Sequence, residues 1–345
     1  MTIALYRKYR PESFSDVVGQ DHIISVLSRA IEDESVSHAY LFSGSRGLGK
    51  TTIARILAQE IGATDRDVYE IDAASNRGID DIRALREEVN ALPFESPYKL
   101  YIIDEAHMLT REAFNALLKT LEEPPAHVKF VLATTEMHKL PDTVISRCEV
   151  HQFKQPTRST LSSYIADIAK KEGYTLESSA ADLVALIGAG SYRDTLGVLQ
   201  KVIASISGKK ITEEDVEKVT GVSSGVSVLN VVEAIGAEDL SKAFEEVHRV
   251  VESGADISIF TTRIIETLRL ILLLRHAPDM REYVAQHTGG DELETLKRLA
   301  KEGSSITSST LSRFLEALDD IGATALPEIP LELALIDVVG DNAGE

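Results

Sequence analysis

The chain of 345 residues contains a single cysteine, Cys148. One thiol excludes a disulfide within the chain and any zinc cage built from several cysteines. Long apolar runs are equally scarce. The densest, Leu-Arg-Leu-Ile-Leu-Leu-Leu at 268–274, is too short to span a bilayer. The opening Met-Thr-Ile-Ala-Leu-Tyr-Arg-Lys holds no uninterrupted apolar segment of the signal-peptide kind. A cytoplasmic protein with no membrane partner is therefore expected. Basic charge is the third shortage: 36 Lys and Arg face 55 Asp and Glu, for a formal net charge of −19. A protein that coats nucleic acid would carry the opposite sign, so any nucleic-acid contact must be local.

What is present is ample apolar material, 43% of residues, over a length that suits two or three domains. The first 155 or so residues alternate short β-rich runs with helical patterns, which reads as a parallel sheet covered by helices. Four strands are expected, at 39–44, 67–72, 99–104 and 129–135, each brief and mostly apolar. Phe114, Leu117, Leu118 and Leu121 line one face of a helix that Pro124 and Pro125 stop. After Pro156 strand signals fade. Ala180, Leu183, Val184 and Ile187 recur at helical spacing, Thr212 to Asp215 resembles a capping box, and Gly221 suits a helix end. Further on, Ala243, Val247, Val250 and Val251 line one helix, and Leu311, Phe314, Leu315 and Leu318 another. Three regions are expected: an α/β core at 1–157, a small helical domain at 158–222, and a helical bundle at 223–345.

Residues 44–51, Gly-Ser-Arg-Gly-Leu-Gly-Lys-Thr, match G-x-x-x-x-G-K-[ST] between an expected strand and an expected helix. In such a loop the backbone N–H groups of Gly44, Ser45, Arg46, Gly47, Leu48 and Gly49, with those of Lys50, Thr51 and Thr52, close around phosphate oxygens at a helix N-terminus. Lys50 would neutralise the outer phosphates and the Thr51 hydroxyl would ligate Mg²⁺. Downstream, Leu-Tyr-Ile-Ile-Asp-Glu at 100–105 is an apolar strand ending in two carboxylates. Asp104 can hold Mg²⁺ through its water shell, and Glu105 can orient a water for in-line phosphoryl transfer. Asp-Glu-Ala-His at 104–107 also spells a helicase box, but no second strand–helix alternation follows 158. Ser191 and Asp194 read as a helix N-cap and a first-turn acid, which sets Arg193 at the positive end of a helix dipole. A cation there calls for a nearby anion.

Longer stretches carry a resemblance. Tyr-Arg-Lys-Tyr-Arg-Pro at 6–11 leads into Asp-Val-Val-Gly-Gln at 16–20, and EIDAASNRGIDDIRAL fills 70–85. LYIIDEAHMLTREAFNALLKTLEEPP, VKFVLATTEMHKLPDTVISRC and GSYRDTL complete the set. Together they resemble the ATPase (tau/gamma) subunit of the bacterial DNA polymerase III clamp loader, in the AAA+ group, and less closely the replication factor C small subunits. The match is dense over about 1–155 and extends through 190–196. It disfavours a branch-migration ATPase, and the intact Gly49-Lys50-Thr51 and Glu105 disfavour a non-hydrolysing scaffold subunit.

The resemblance implies an α/β P-loop AAA+ core with a parallel sheet, a small helical lid and an all-α collar. It implies an ATP hydrolase using Mg²⁺ to load a sliding clamp onto primed DNA in replication. Its partners would be delta- and delta-prime-type subunits in a hetero-pentameric ring. Arg147 of Ser-Arg-Cys would project into the neighbouring subunit's site as an arginine finger, a role suited to a fixed guanidinium. Cys148 beside it would be a small buried hydrophobe. Arg193 would sense the γ-phosphate from the lid and Thr135 from the core. Arg10, Pro11, Val17 and Val18 would line the base pocket. Asn76, Arg77, Arg111 and Lys119 would meet DNA phosphates, weakly per subunit but summed around a ring. Most relatives insert a four-cysteine zinc module before the Glu-Ile-Asp strand, whereas residues 58–75 run straight through without cysteine, so no zinc site is expected. The extension that binds polymerase and helicase in the longer form is also expected to be absent.

Overall fold

A computed structural model describes residues 3–76, 78–288, 290–302 and 305–340. The chain divides into two compact units, Met1–Ile168 with Gly188–Gln200, and Ala169–Ile187 with Lys201–Glu345. The stretch 158–222 contributes to both.

The first unit is built on a five-stranded parallel sheet. Its strands are β1 (Ala39–Ser43), β2 (Val68–Asp72), β3 (Lys99–Asp104), β4 (Val128–Thr134) and β5 (Glu149–Gln152), in the order β2-β3-β4-β1-β5. Side chains alternate across it. Tyr40, Phe42, Leu100, Ile102 and Val131 pack on one face with Ile53 and Leu57 of the helix Lys50–Glu60. Leu41, Tyr101, Ile103, Phe130 and Leu132 pack on the other with Phe114, Leu117 and Leu121 of the helix Arg111–Glu122. Both faces are covered, which is why β1, β3 and β4 are continuous apolar runs. The fifth strand was not expected from sequence. It lies at the sheet edge, pairs only with β1, and buries one residue in four, so it carries no apolar run to read.

The register brings the carboxyl ends of the strands to one edge, with Ser43 opposite Thr134 and Asp72 opposite Asp104. In parallel sheets this edge is where ligands bind. The far end of β2 is tied differently. The carboxylate of Asp67 is buried and accepts N–H bonds from Phe94 (2.6 Å), Glu95 (3.1 Å) and Ser96 (3.0 Å). Burial pushes its pKa up, but these donors and the Ser96 hydroxyl outweigh burial and hold it below the usual carboxylate range.

The second unit is helical apart from a two-residue parallel pairing of β6 (Thr175–Leu176) with β7 (Lys210–Ile211). Val231, Val247, Phe260, Ile264, Leu268, Phe314 and Leu331 form one core from the inward faces of five helices between Gly225 and Leu335. The helix Glu213–Thr220 has the expected capping box, with Asp215 N–H donating to Thr212 Oγ1 and Thr212 N–H to Asp215 Oδ2, and it ends at Gly221 with φ 74°. On the helix Ser308–Ile321 the expected stripe is only partly inward. Phe314 is buried, but Leu315 is 46% exposed, because one residue along a helix turns the side chain about 100° off the core.

Two arginines staple this unit. Arg263, largely buried, donates to Glu213 (2.6 Å), Glu217 (3.1 Å) and the Ser223 carbonyl (2.7 Å). Arg275 donates to the carbonyls of Leu299, Ala300 and Ile306, near the end of the helix Gly290–Glu302, where carbonyls lack helical partners.

Candidate active site

The loop between β1 and the helix Lys50–Glu60 is shaped by its glycines. Gly49 caps the helix in the left-handed region at φ 95°, a conformation that penalises any Cβ. Gly47, at φ 77°, sits so close to Ser191 that an added Cβ would lie 1.9 Å from the serine Oγ. Leu48 plugs into the core, so its place in the loop is a backbone one, while Ser45 and Arg46 are exposed. Lys50 is buried and donates to the carbonyls of Gly44 (2.7 Å) and Ser45 (2.9 Å). Burial lowers its pKa, Glu105 and Asp104 pull it back up, and Arg193 lowers it further.

Asp104 ends β3 and accepts the Thr51 hydroxyl at 2.8 Å on one oxygen and the Glu105 N–H at 3.0 Å on the other. Glu105 follows with φ 48°, left-handed for a non-glycine residue, a strain of order 1–2 kcal/mol that turns its carboxylate from the strand line. The Thr135 hydroxyl, one residue past β4, donates to Glu105 Oε2 at 3.0 Å. His107, in the turn Ala106–Met108, lies between the two strand ends and has no counterpart among the expected site residues. Its Nδ1 is 3.0 Å from Thr134 Oγ1, and its Nε2 is 3.3 Å from Glu136 Oε1. Only the helicase-box spelling hinted at it.

Beside the loop opens a cleft of about 670 Å³, open solvent included, lined by Arg10, Pro11, Val17, Val18, Thr52 and Arg193 among others. Tyr192, whose hydroxyl donates to the Val18 carbonyl at 2.8 Å, and Tyr6, 5.9 Å below the Arg193 guanidinium, add aromatic walls. Ser191 caps the helix Tyr192–Ser205 by accepting Asp194 N–H at 3.2 Å. Arg10 is held below the usual guanidinium pKa by burial first and then by Arg55, with Glu70 opposing and Arg193 and Arg7 adding to the fall. Mutually repelling, partly desolvated cations around a glycine loop are a demand for an anion.

The fold thus gathers the loop, Asp104, Glu105, Thr135, Arg193 and the cleft residues. Arg147 donates its hydrogen bonds elsewhere, to the Thr143 carbonyl (2.6 Å), Ser146 Oγ (3.3 Å) and Glu122 Oε1 (2.5 Å). Cys148 next to it packs half-buried against the second face, and burial pushes its thiol up to about 12, the wrong direction for a nucleophile. Asn76 is exposed and bound within its own turn to the Asp72 carbonyl, and Arg111 and Lys119 are exposed on one helix. Arg77 lies outside the described residues.

Comparison with known proteins agrees with this geometry. Residues 19–74 and 64–157 match the family described as DNA polymerase III, delta subunit, and residues 211–342 match DNA polymerase III subunits gamma and tau domain III. The DNA polymerase III subunit gamma/tau of Mycobacterium tuberculosis strain H37Rv is 36% identical over 99% of this chain and 64% of its own length. The DNA polymerase III subunit tau of Bacillus subtilis is 37% identical over 97% of this chain and 63% of its own. The chain belongs to the DNA polymerase III gamma/tau family of clamp-loader subunits. It spans under two thirds of the length of these gamma/tau relatives. The Thermotoga maritima RuvB Holliday junction branch migration motor superposes with a TM-score of 0.53 at 22% identity, over 66% of this chain and 79% of RuvB, a likeness of AAA+ fold alone. No single described helix of this gamma/tau chain is long and apolar enough to cross a membrane.

Proposed function

We propose that this chain binds ATP with Mg²⁺ and hydrolyses it as one subunit of a clamp-loading ring. The observation that carries the reading is the convergence of Lys50, Thr51, Asp104, Glu105 and Thr135 on one glycine loop at the carboxyl edge of a parallel sheet. The Thr51 hydroxyl and the Asp104 carboxylate, 2.8 Å apart, are hard oxygen donors of the kind Mg²⁺ takes alongside substrate phosphates. A bound Mg²⁺ would neutralise charge on the triphosphate. Lys50 would give up its two loop carbonyls for phosphate oxygens. Glu105 would align the attacking water, and Thr135 would turn its hydroxyl from that carboxylate to the γ-phosphate. Arg193 would meet the γ-phosphate from the 188–200 segment, and Arg10, Pro11, Val17 and Val18 would hold the base.

Arg147 would complete a neighbour's site in trans, leaving Glu122 to do so. A guanidinium supplied across a subunit seam is worth about three orders of magnitude or more in rate. Delta- and delta-prime-type subunits, a sliding clamp and primed DNA are the proposed partners. Asn76, Arg77, Arg111 and Lys119 would contact DNA phosphates within a core, lid and collar arrangement at 1–157, 158–222 and 223–345. The test is ATP turnover of the parent, Glu105→Gln and Arg147→Ala, alone and mixed with ring partners, clamp and primed DNA. Glu105→Gln should abolish turnover throughout, and Arg147→Ala should remove only the stimulation by partners. Equal turnover of parent and Glu105→Gln would sink the hydrolase reading, and full stimulation of Arg147→Ala would sink the trans role.

A further inference from the structure

His107 is a buried titratable group that the proposed chemistry leaves unused. Its side chain is 7% exposed. Thr134 Oγ1 accepts the Glu136 N–H at 3.0 Å and lies 3.0 Å from His107 Nδ1, within hydrogen-bond reach. On the other side Nε2 faces the Glu136 carboxylate, an acceptor, at 3.3 Å. The Glu136 carboxylate is held in turn by Lys139 at 2.7 Å. Nδ1 is also 3.5 Å from Glu105 Oε2. The same Glu105 oxygen accepts the Thr135 hydroxyl at 3.0 Å, and Thr135 sits between the two residues His107 grips.

We propose that His107 is a positioning residue for ATP hydrolysis, tying the turn that carries Glu105 to the Thr134–Glu136 segment that carries Thr135. The inference rests on the hydrolase reading above and assigns His107 no contact with substrate. Two strand ends meet the nucleotide, and His107 is the buried polar bridge between the backbones that follow them. Removing it leaves the Thr134 hydroxyl buried without that partner and lets the Glu105 and Thr135 side chains drift relative to each other, to which in-line attack is sensitive.

The experiment measures steady-state ATP turnover and the affinity for a fluorescent ATP analogue on the full chain, parent and variants. His107→Ala should lower kcat by about tenfold while KM and analogue affinity stay within about twofold. Glu136→Gln, a half-exposed change that leaves the core alone, should lower kcat by about threefold in the same pattern. In a Thr135→Ala background, His107→Ala should cost less than about twofold more, because the group it positions is gone. The inference is overturned by unchanged kcat in both single variants, by a parallel loss of analogue binding, or by the full effect persisting without Thr135. If His107→Ala does not fold, Glu136→Gln and its combination with Thr135→Ala decide by the same criteria. A parent that turns over no ATP would overturn the hydrolase reading and this inference with it. A parent that turns over ATP while both variants match it would overturn the inference alone.

Discussion

The two units bury polar groups to opposite ends. In the first, Lys50, Thr134 and His107 have buried side chains near the carboxyl edge of the sheet, and the partners there are strained or provisional: loop carbonyls for Lys50, a left-handed Glu105 across from Thr135. In the second, Arg263 and Arg275 spend their donors on carboxylates and helix-end carbonyls. These partners belong to the fold itself. A site is marked less by how much polarity it buries than by how replaceable the partners are.

Exchanging charges for carbon on each side separates the two uses. Lys50→Met should cut ATP turnover by up to about a thousandfold, as measured by phosphate release. It should leave thermal stability equal or higher, since burial disfavours the charged lysine where it stands. A fall in melting temperature would show that Lys50 is a structural staple after all. Arg263→Met should do the reverse, costing about 3 kcal/mol of stability by leaving Glu217 buried without its cation. Analogue affinity should change by less than about twofold.

That variant also has a pH signature. Burial raises the Glu217 pKa, and the Arg263 and Gly225 donors oppose the rise. Without Arg263 the carboxyl rises further, so the folded state takes up a proton more readily than the unfolded chain. The variant should regain stability as pH falls from 7 toward about 4.3, and denaturation that is flat over this range would refute the burial argument. Asp67 carries the opposite sign. Its folded pKa is depressed, so its contribution is full above an unfolded pKa of about 3.9 and is lost as pH falls through the lower folded value. Asp67→Asn should be less stable than the parent at pH 7, with the gap closing in acid. The smallest effect is expected at Thr212→Ala, about 1 kcal/mol in chemical denaturation for the loss of a helix cap.

The sequence was legible where one local rule sufficed. β1, β3 and β4 declare themselves as apolar runs because both sheet faces are covered, and Gly49-Lys50-Thr51 declares the loop because only glycine tolerates φ 95° there. Thr212 and Gly221 declare the ends of their helix by cap chemistry. Legibility failed where the reason was tertiary. β5 is four residues whose only credential is the vacant edge of β1. Leu315 fits an apolar stripe in text yet points outward, since neighbouring helices decide how wide the stripe must be. His107 matters through Thr134 and Glu136, and no periodicity joins those positions.

Thr135 owns one hydroxyl hydrogen, and here it is committed to Glu105. A hydrogen cannot serve two acceptors at full strength, so any phosphate oxygen that claims it frees the carboxylate in the same instant. On the proposed reading, occupancy of the cleft and release of Glu105 would be a single event, counted in one proton.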